Sequence, residues 1–98
     1  MTINKNLEGE KLNVAIEGRL DTSTAPELEK ELSGLDGVKE LILDFEKLEY
    51  VSSAGLRVLL ASQKAMIAAK GQMKIHNVNE TIMEVFEITG FADILTIE

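Results

Sequence analysis

The stretch Tyr50-Val51-Ser52-Ser53-Ala54-Gly55-Leu56-Arg57-Val58-Leu59-Leu60 constrains the fold more than any other part of this chain. Two hydroxyl residues separate an apolar run from a run of helical period, in which Leu56, Leu59, Leu60, Gln63 and Ile67 share the inner face. That is the pattern of a strand-to-helix corner. A few residues upstream, Leu41-Ile42-Leu43 is apolar on consecutive positions, which predicts a central strand covered on both faces. A serine just ahead of a helical run is an N-cap candidate. The unpaired N–H groups and the dipole at that end favour an anion. A hydroxyl at this corner is therefore well placed to carry a phosphate.

The rest of the chain alternates in the same way. Residues 2–8 read as a weak strand, with Ile3 and Leu7 on one face, and the turn at Gly9 leads into Leu12, Val14 and Ile16 at period two. Thr24-Ala25-Pro26-Glu27 opens a first helix: Thr24 and Glu27 have capping-box spacing, and proline is tolerated in the first turn. Ala25, Leu28 and Leu32 mark its buried face, and Gly34 its stop. The long helix after the corner runs to about Lys70, where Gly71 ends it. Met73 and Ile75 belong to a short strand. Asn77-Val78-Asn79-Glu80 caps a third helix with Ile82, Val85 and Phe86 as its stripe, and Gly90 closes it. Ile94, Leu95 and Ile97 form a last strand. The expected order is β-β-α-β-α-β-α-β, an α/β fold with a mixed, mainly parallel sheet, flanking helices and right-handed crossovers.

At 98 residues the chain fits one domain, 1–98, with enough length for a small core. There is no cysteine, which excludes disulfides and thiolate metal sites and is compatible with a cytoplasmic setting. The start Met1-Thr2-Ile3-Asn4-Lys5 lacks the build of a signal peptide, and no apolar run is long enough to span a bilayer. The formal charge of −7 argues against nonspecific nucleic-acid binding and against docking on anionic lipid. It is equally consistent with a basic protein partner and with solubility alone.

Little in the sequence supports catalysis. A lone histidine, His76, makes a zinc or copper site improbable, and it reads as a strand-end surface residue. Asp44, Glu46 and Glu49 read as a solvated charged turn, Asp44 serving loop N–H groups. Ser52 and Ser53 lie outside any Gly-x-Ser-x-Gly elbow, and there is neither a phosphate loop nor a Gly-x-Gly-x-x-Gly. The expectation is a domain with no catalytic residues, no metal and no cofactor.

Three blocks carry a resemblance. They are Gly18-Arg19-Leu20-Asp21-Thr22-Ser23-Thr24-Ala25, then Leu41–Phe45 running into Val51-Ser52-Ser53-Ala54-Gly55-Leu56, and Val85-Phe86-Glu87-Ile88-Thr89-Gly90-Phe91. Together they resemble a STAS domain of the bacterial anti-sigma factor antagonist family, over nearly the full length. The resemblance implies a phosphoprotein of a partner-switching system in transcription regulation. Unphosphorylated, it would bind an anti-sigma factor that is also a serine kinase using ATP and magnesium, and release the sigma factor. Phosphorylation would end that binding and a PP2C-type phosphatase would restore it. Aligning on Gly55-Leu56 makes Ser53 the acceptor, with Ser52, which stands where the family usually has aspartate, as its rival. Asp21, Thr22, Ser52, Ser53, Ala54, Gly55 and Arg57 are the implied partner-binding residues. Two plainer readings stand beside this: Ser53 only caps a helix, and Asp21 only starts one. The alternative function is a STAS adaptor that is never phosphorylated, a subunit of a transport or sensory complex.

Overall fold

A computed structural model describes residues 1–98. In chain order it contains strands β1 (Thr2–Glu8) and β2 (Lys11–Leu20), helix α1 (Ala25–Glu31), and strands β3 (Glu40–Asp44) and β4 (Leu48–Val51). Helix α2 (Ser53–Ala68), strand β5 (Gln72–His76) and helix α3 (Glu80–Thr89) follow, then a 3-10 turn at Phe91–Asp93. β1 and β2 form an antiparallel hairpin, and β3 and β5 extend the sheet in parallel, giving the order β1-β2-β3-β5. β3 and β4 take up successive stretches of β2, the register passing from Ala15↔Asp44 to Gly18↔Leu48 across the turn at Phe45–Lys47. The α/β architecture with a mixed, mainly parallel sheet is thus present.

Period two on β2 sends Leu12, Val14, Ile16 and Leu20 to one side, where they join Leu41 and Leu43 of β3. Leu28 of α1, Leu56 and Leu59 of α2, and Ile82 and Phe86 of α3 all pack into that same single cluster. Phe45 and Phe86 meet in it with ring centroids 6.3 Å apart. The helices therefore cover one face of the sheet, not two. Ile42 is only 4% exposed, yet it stands outside this cluster, on the open face between Asn13 and Lys74. Consecutive apolar residues on β3 thus arise from neighbouring side chains covering Ile42, not from a second helical layer.

Other expectations are corrected. β4 is a strand the sequence pattern does not disclose, because its four residues, Leu48-Glu49-Tyr50-Val51, bury only the first and last. The final strand shrinks to one parallel bridge, Ile75↔Ile97, since the 3-10 turn uses up the preceding residues. The Thr24–Glu27 capping box does not form. Thr24 Oγ1 instead accepts from the Asp21 N–H at 2.8 Å and donates to the Arg19 carbonyl at 2.8 Å. α2 ends with Lys70, not Gly71, in the left-handed region. Gly71 is required for close approach: a Cβ there would lie 2.7 Å from the Lys39 carbonyl oxygen. Ile67 is 63% exposed and off the inner face, where Ser62, Gln63 and Met66 pack instead. Leu7 is exposed too, so only Ile3 of the β1 pair packs against the core. Asn79 caps α3 as expected, accepting from Ile82 N at 2.9 Å, and Gly90 closes it with φ +83.

Candidate functional site

The serine corner is assembled where β2 and β4 end and α2 begins. The Ser52 N–H donates to the Leu20 carbonyl at 2.9 Å, tying the exit of β4 to the end of β2. The Ser52 carbonyl accepts the first helical hydrogen bond, from Leu56 N at 2.9 Å. Ser52 itself is extended, and its Oγ accepts from Gly55 N at 3.2 Å, so it is the N-cap. Ser53 is the first residue of α2 and is exposed, whereas Ser52 is half-buried. The two hydroxyls thus differ in environment: one is engaged by the helix backbone, the other faces solvent. Substituting Ser52 with alanine removes the cap and is expected to lower stability by about 1 kcal/mol. A thermal scan should register this as a fall of roughly 4–8 °C in Tm.

Gly55 is buried against β2; a Cβ there would sit 2.7 Å from Leu20 Cγ and 3.0 Å from the Leu20 carbonyl oxygen. Ala54 is half-buried and Arg57 exposed. Thr22, Ala54 and Arg57 line one groove of about 360 Å³ between α1 and α2, with Ala25, Pro26 and Val58. Asp21, Ser52, Ser53 and Gly55 are not part of its lining. The corner and the groove share Ala54, next in the chain to Ser53.

Asp21 acts first as the organiser of its loop. Its Oδ1 accepts from Ser23 Oγ at 2.7 Å, Ser23 N at 3.0 Å and Thr24 N at 3.1 Å. The Ser23 hydroxyl, foremost, and the Thr24 and Ser23 N–H groups hold the Asp21 carboxyl below its ordinary value of 3.8, against an opposing effect of partial burial. The sign follows from that depression. The stabilisation is complete above about pH 3.8 and is lost as pH falls through the lower folded-state value. A carboxyl-carbon NMR titration should find Asp21 titrating below free aspartate, and Ser23→Ala should bring it back toward 3.8.

Two further residues complete the rim, and their spacing in the chain assigns neither a role there. The Arg19 guanidinium lies 4.4 Å from the centre of the Tyr50 ring, and its Nε is 3.9 Å from Asp21 Oδ2. Arg19 pairs with Tyr50 in the β2–β4 register. Without β4, nothing in the sequence brings the two together. Asp44 accepts from Glu46 N at 3.0 Å and Asn77 Nδ2 at 3.1 Å, away from the serines. Nowhere do three His, Cys, Asp or Glu side chains converge as metal ligands, and no helix is long and apolar enough to cross a membrane.

Comparison with known proteins agrees with this architecture. The STAS domain model matches residues 2–98. BtrV of Bordetella bronchiseptica, named as a candidate anti-sigma factor antagonist, is 34% identical over 88 residues, 88% of this chain and 76% of that protein. The anti-sigma-B factor antagonist of Staphylococcus aureus is 33% identical over 84 residues, 84% of this chain and 78% of that one. The Bacillus cell fate determinant SpoIIAA, solved in its phosphorylated form, shares the fold with a TM-score of 0.78 at 20% identity. That alignment covers 99% of this chain and 91% of SpoIIAA. The chain belongs to the STAS-domain family, in the branch whose members are named anti-sigma factor antagonists.

Proposed function

We propose that this protein is an anti-sigma factor antagonist switched by phosphorylation of Ser53. Unphosphorylated, it binds an anti-sigma factor that is also a serine kinase using ATP and magnesium, and so frees the sigma factor. The kinase transfers a phosphoryl group to Ser53 and the complex dissociates; a PP2C-type phosphatase restores the hydroxyl. The chain is substrate and binding module, not enzyme, and works in the cytoplasm.

One observation carries the choice of acceptor: Ser53 is exposed at the first residue of α2, while the Ser52 hydroxyl is held by Gly55 N–H. The names of the two relatives and the phosphorylated form of SpoIIAA support the reading. So does electrostatics. No acidic side chain occupies the first turn of α2, so a phosphate of about −1.5 to −2 charge meets free N–H groups and a favourable dipole. The helix tolerates the dianion, and the penalty falls on the interface that must desolvate it. Asp21, Thr22, Ala54 and Arg57 flank the acceptor as partner-binding residues.

The test is phosphoryl transfer from labelled ATP by the cognate kinase, with the modified residue mapped by mass spectrometry. Ser53→Ala should abolish incorporation and Ser52→Ala should retain it. Label on the Ser53→Ala protein would reassign the acceptor. Tight binding to a partner with no incorporation into wild type would favour the unphosphorylated adaptor.

A further inference from the structure

The open face of the sheet carries a hollow of about 270 Å³ that the serine corner does not use. Register places two rows across it. One row is Asn4, Ala15, Asp44 and His76; the next is Asn6, Asn13, Ile42 and Lys74. Ala15 is the smallest member of its row, and the dip it leaves is floored by Ala15 and Ile42 and walled by amides, Asp44 and His76. Asparagine is a poor strand former. Three of them on neighbouring strands around one dip depart from the local rule, as functional surfaces do.

The walls are set to accept hydrogen bonds. Asn4 Nδ2 donates to Glu17 at 3.3 Å and Asn6 Nδ2 to Glu8 at 3.0 Å. An ionised carboxylate can only accept, so each amide turns its N–H₂ to a glutamate and keeps Oδ1 as its free group. The charge is unbalanced in the same sense. Lys5, on the lining itself, is paired with Glu31, and Lys11 and Lys74 farther along the strands with Glu40 and Glu98. Lys47, beside Ala15 and Asp44 in the adjoining dip, is the one nearby cation without an ion pair, and it is outnumbered by carboxylates. His76 also faces Glu98, at 3.2 Å. Asp44, Glu8 and Glu17 take part in no ion pair. The volume is below the roughly 300–1,000 Å³ of cofactor and drug-sized sites, which suits a single side chain.

We propose that this hollow receives an arginine side chain of a partner protein, independently of Ser53. The planar guanidinium lies over Ala15, with the nearly sealed Ile42 beneath its neighbours alongside, and directs its N–H fork at Asp44 and the asparagine carbonyls. Lysine, a compact point charge, uses neither the flat floor nor the fork.

The experiment uses the full ¹⁵N-labelled chain at low salt, titrated with a capped Gly-Arg-Gly peptide and, separately, capped Gly-Lys-Gly. Expected are saturable amide shifts centred on Asn13, Ala15, Asp44 and His76, with tighter binding of the arginine peptide. Asp44→Asn keeps an acceptor for Glu46 N and should weaken binding by about tenfold. Asn13→Ala, whose effect does not pass through the Asp44 turn, should weaken it by roughly threefold. Ser53→Asp should bind as wild type does, so failure of the phosphorylation reading leaves this one standing. Equal binding of the lysine peptide, shifts scattered over the whole acidic surface, or wild-type binding by both hollow variants would overturn it.

Discussion

Ser53→Asp is expected to weaken binding to the anti-sigma factor proposed above by about a hundredfold while leaving the fold intact. The two halves of this result have different causes. Within the domain, residue 53 is the first residue of a 16-residue helix that has no acidic residue in its first turn. A carboxylate there should stabilise by about 0.3–1 kcal/mol. At the interface the same charge, if not met by a cation, costs several kcal/mol, and 1.4 kcal/mol is a factor of ten. Isothermal titration beside a thermal scan separates the two: affinity should collapse and Tm should hold or rise slightly. Ser53→Ala tests the other side. It removes the acceptor without adding charge, so it should bind about as wild type does and stay bound in the presence of ATP. A Ser53→Asp protein that keeps wild-type affinity would place residue 53 outside the interface and remove the electrostatic basis of the switch.

The sequence discloses most of what positions that residue. Period two on β2, the Asn79 cap of α3 and the Ser52-Ser53 corner are local signals, and the structure contains all three. What it conceals is set by tertiary contact. β4 has no period to read because its burial pattern depends on pairing with the end of β2. Thr24 and Glu27 have the spacing of a capping box, but the Thr24 hydroxyl finds nearer partners in the backbone of Arg19 and Asp21. Which of Ser52 and Ser53 caps the helix is not legible from spacing either: the Gly55 N–H, 3.2 Å from Ser52 Oγ, makes Ser52 the cap and leaves Ser53 as the exposed first helical residue. The open face stays hidden for a related reason: Leu41-Ile42-Leu43 reads as doubly covered whether helices or long polar neighbours do the covering.

The second large effect is expected at Gly55, and it shows why the corner has its geometry. Gly55→Val should destabilise the fold by about 3 kcal/mol, the upper range of overpacking in a filled core. Helix propensity does not cause this, since valine is a slightly better helix former than glycine. The cause is the seat of α2 on β2. A Cβ at residue 55 lies 2.7 Å from Leu20 Cγ, 3.0 Å from Cδ2 and 3.0 Å from the Leu20 carbonyl oxygen. Leu20 is fully buried, so its side chain has nowhere to swing, and its carbonyl is fixed by the hydrogen bond from Ser52 N. Relief must come from lifting the start of the helix, which would also carry Ser53 away from its place. In a chain of 98 residues the loss corresponds to roughly 12–24 °C in Tm, read by calorimetry. A double-mutant cycle isolates the mechanism. Leu20→Ala alone should cost about 2–5 kcal/mol as a cavity. In that background most of the cost of Gly55→Val should vanish, because the new methyl groups occupy the space vacated by leucine. Only the contact with the carbonyl oxygen would remain. Additive costs in the cycle would mean that Leu20 is not what Gly55 makes room for, and that the helix start is held by some other contact.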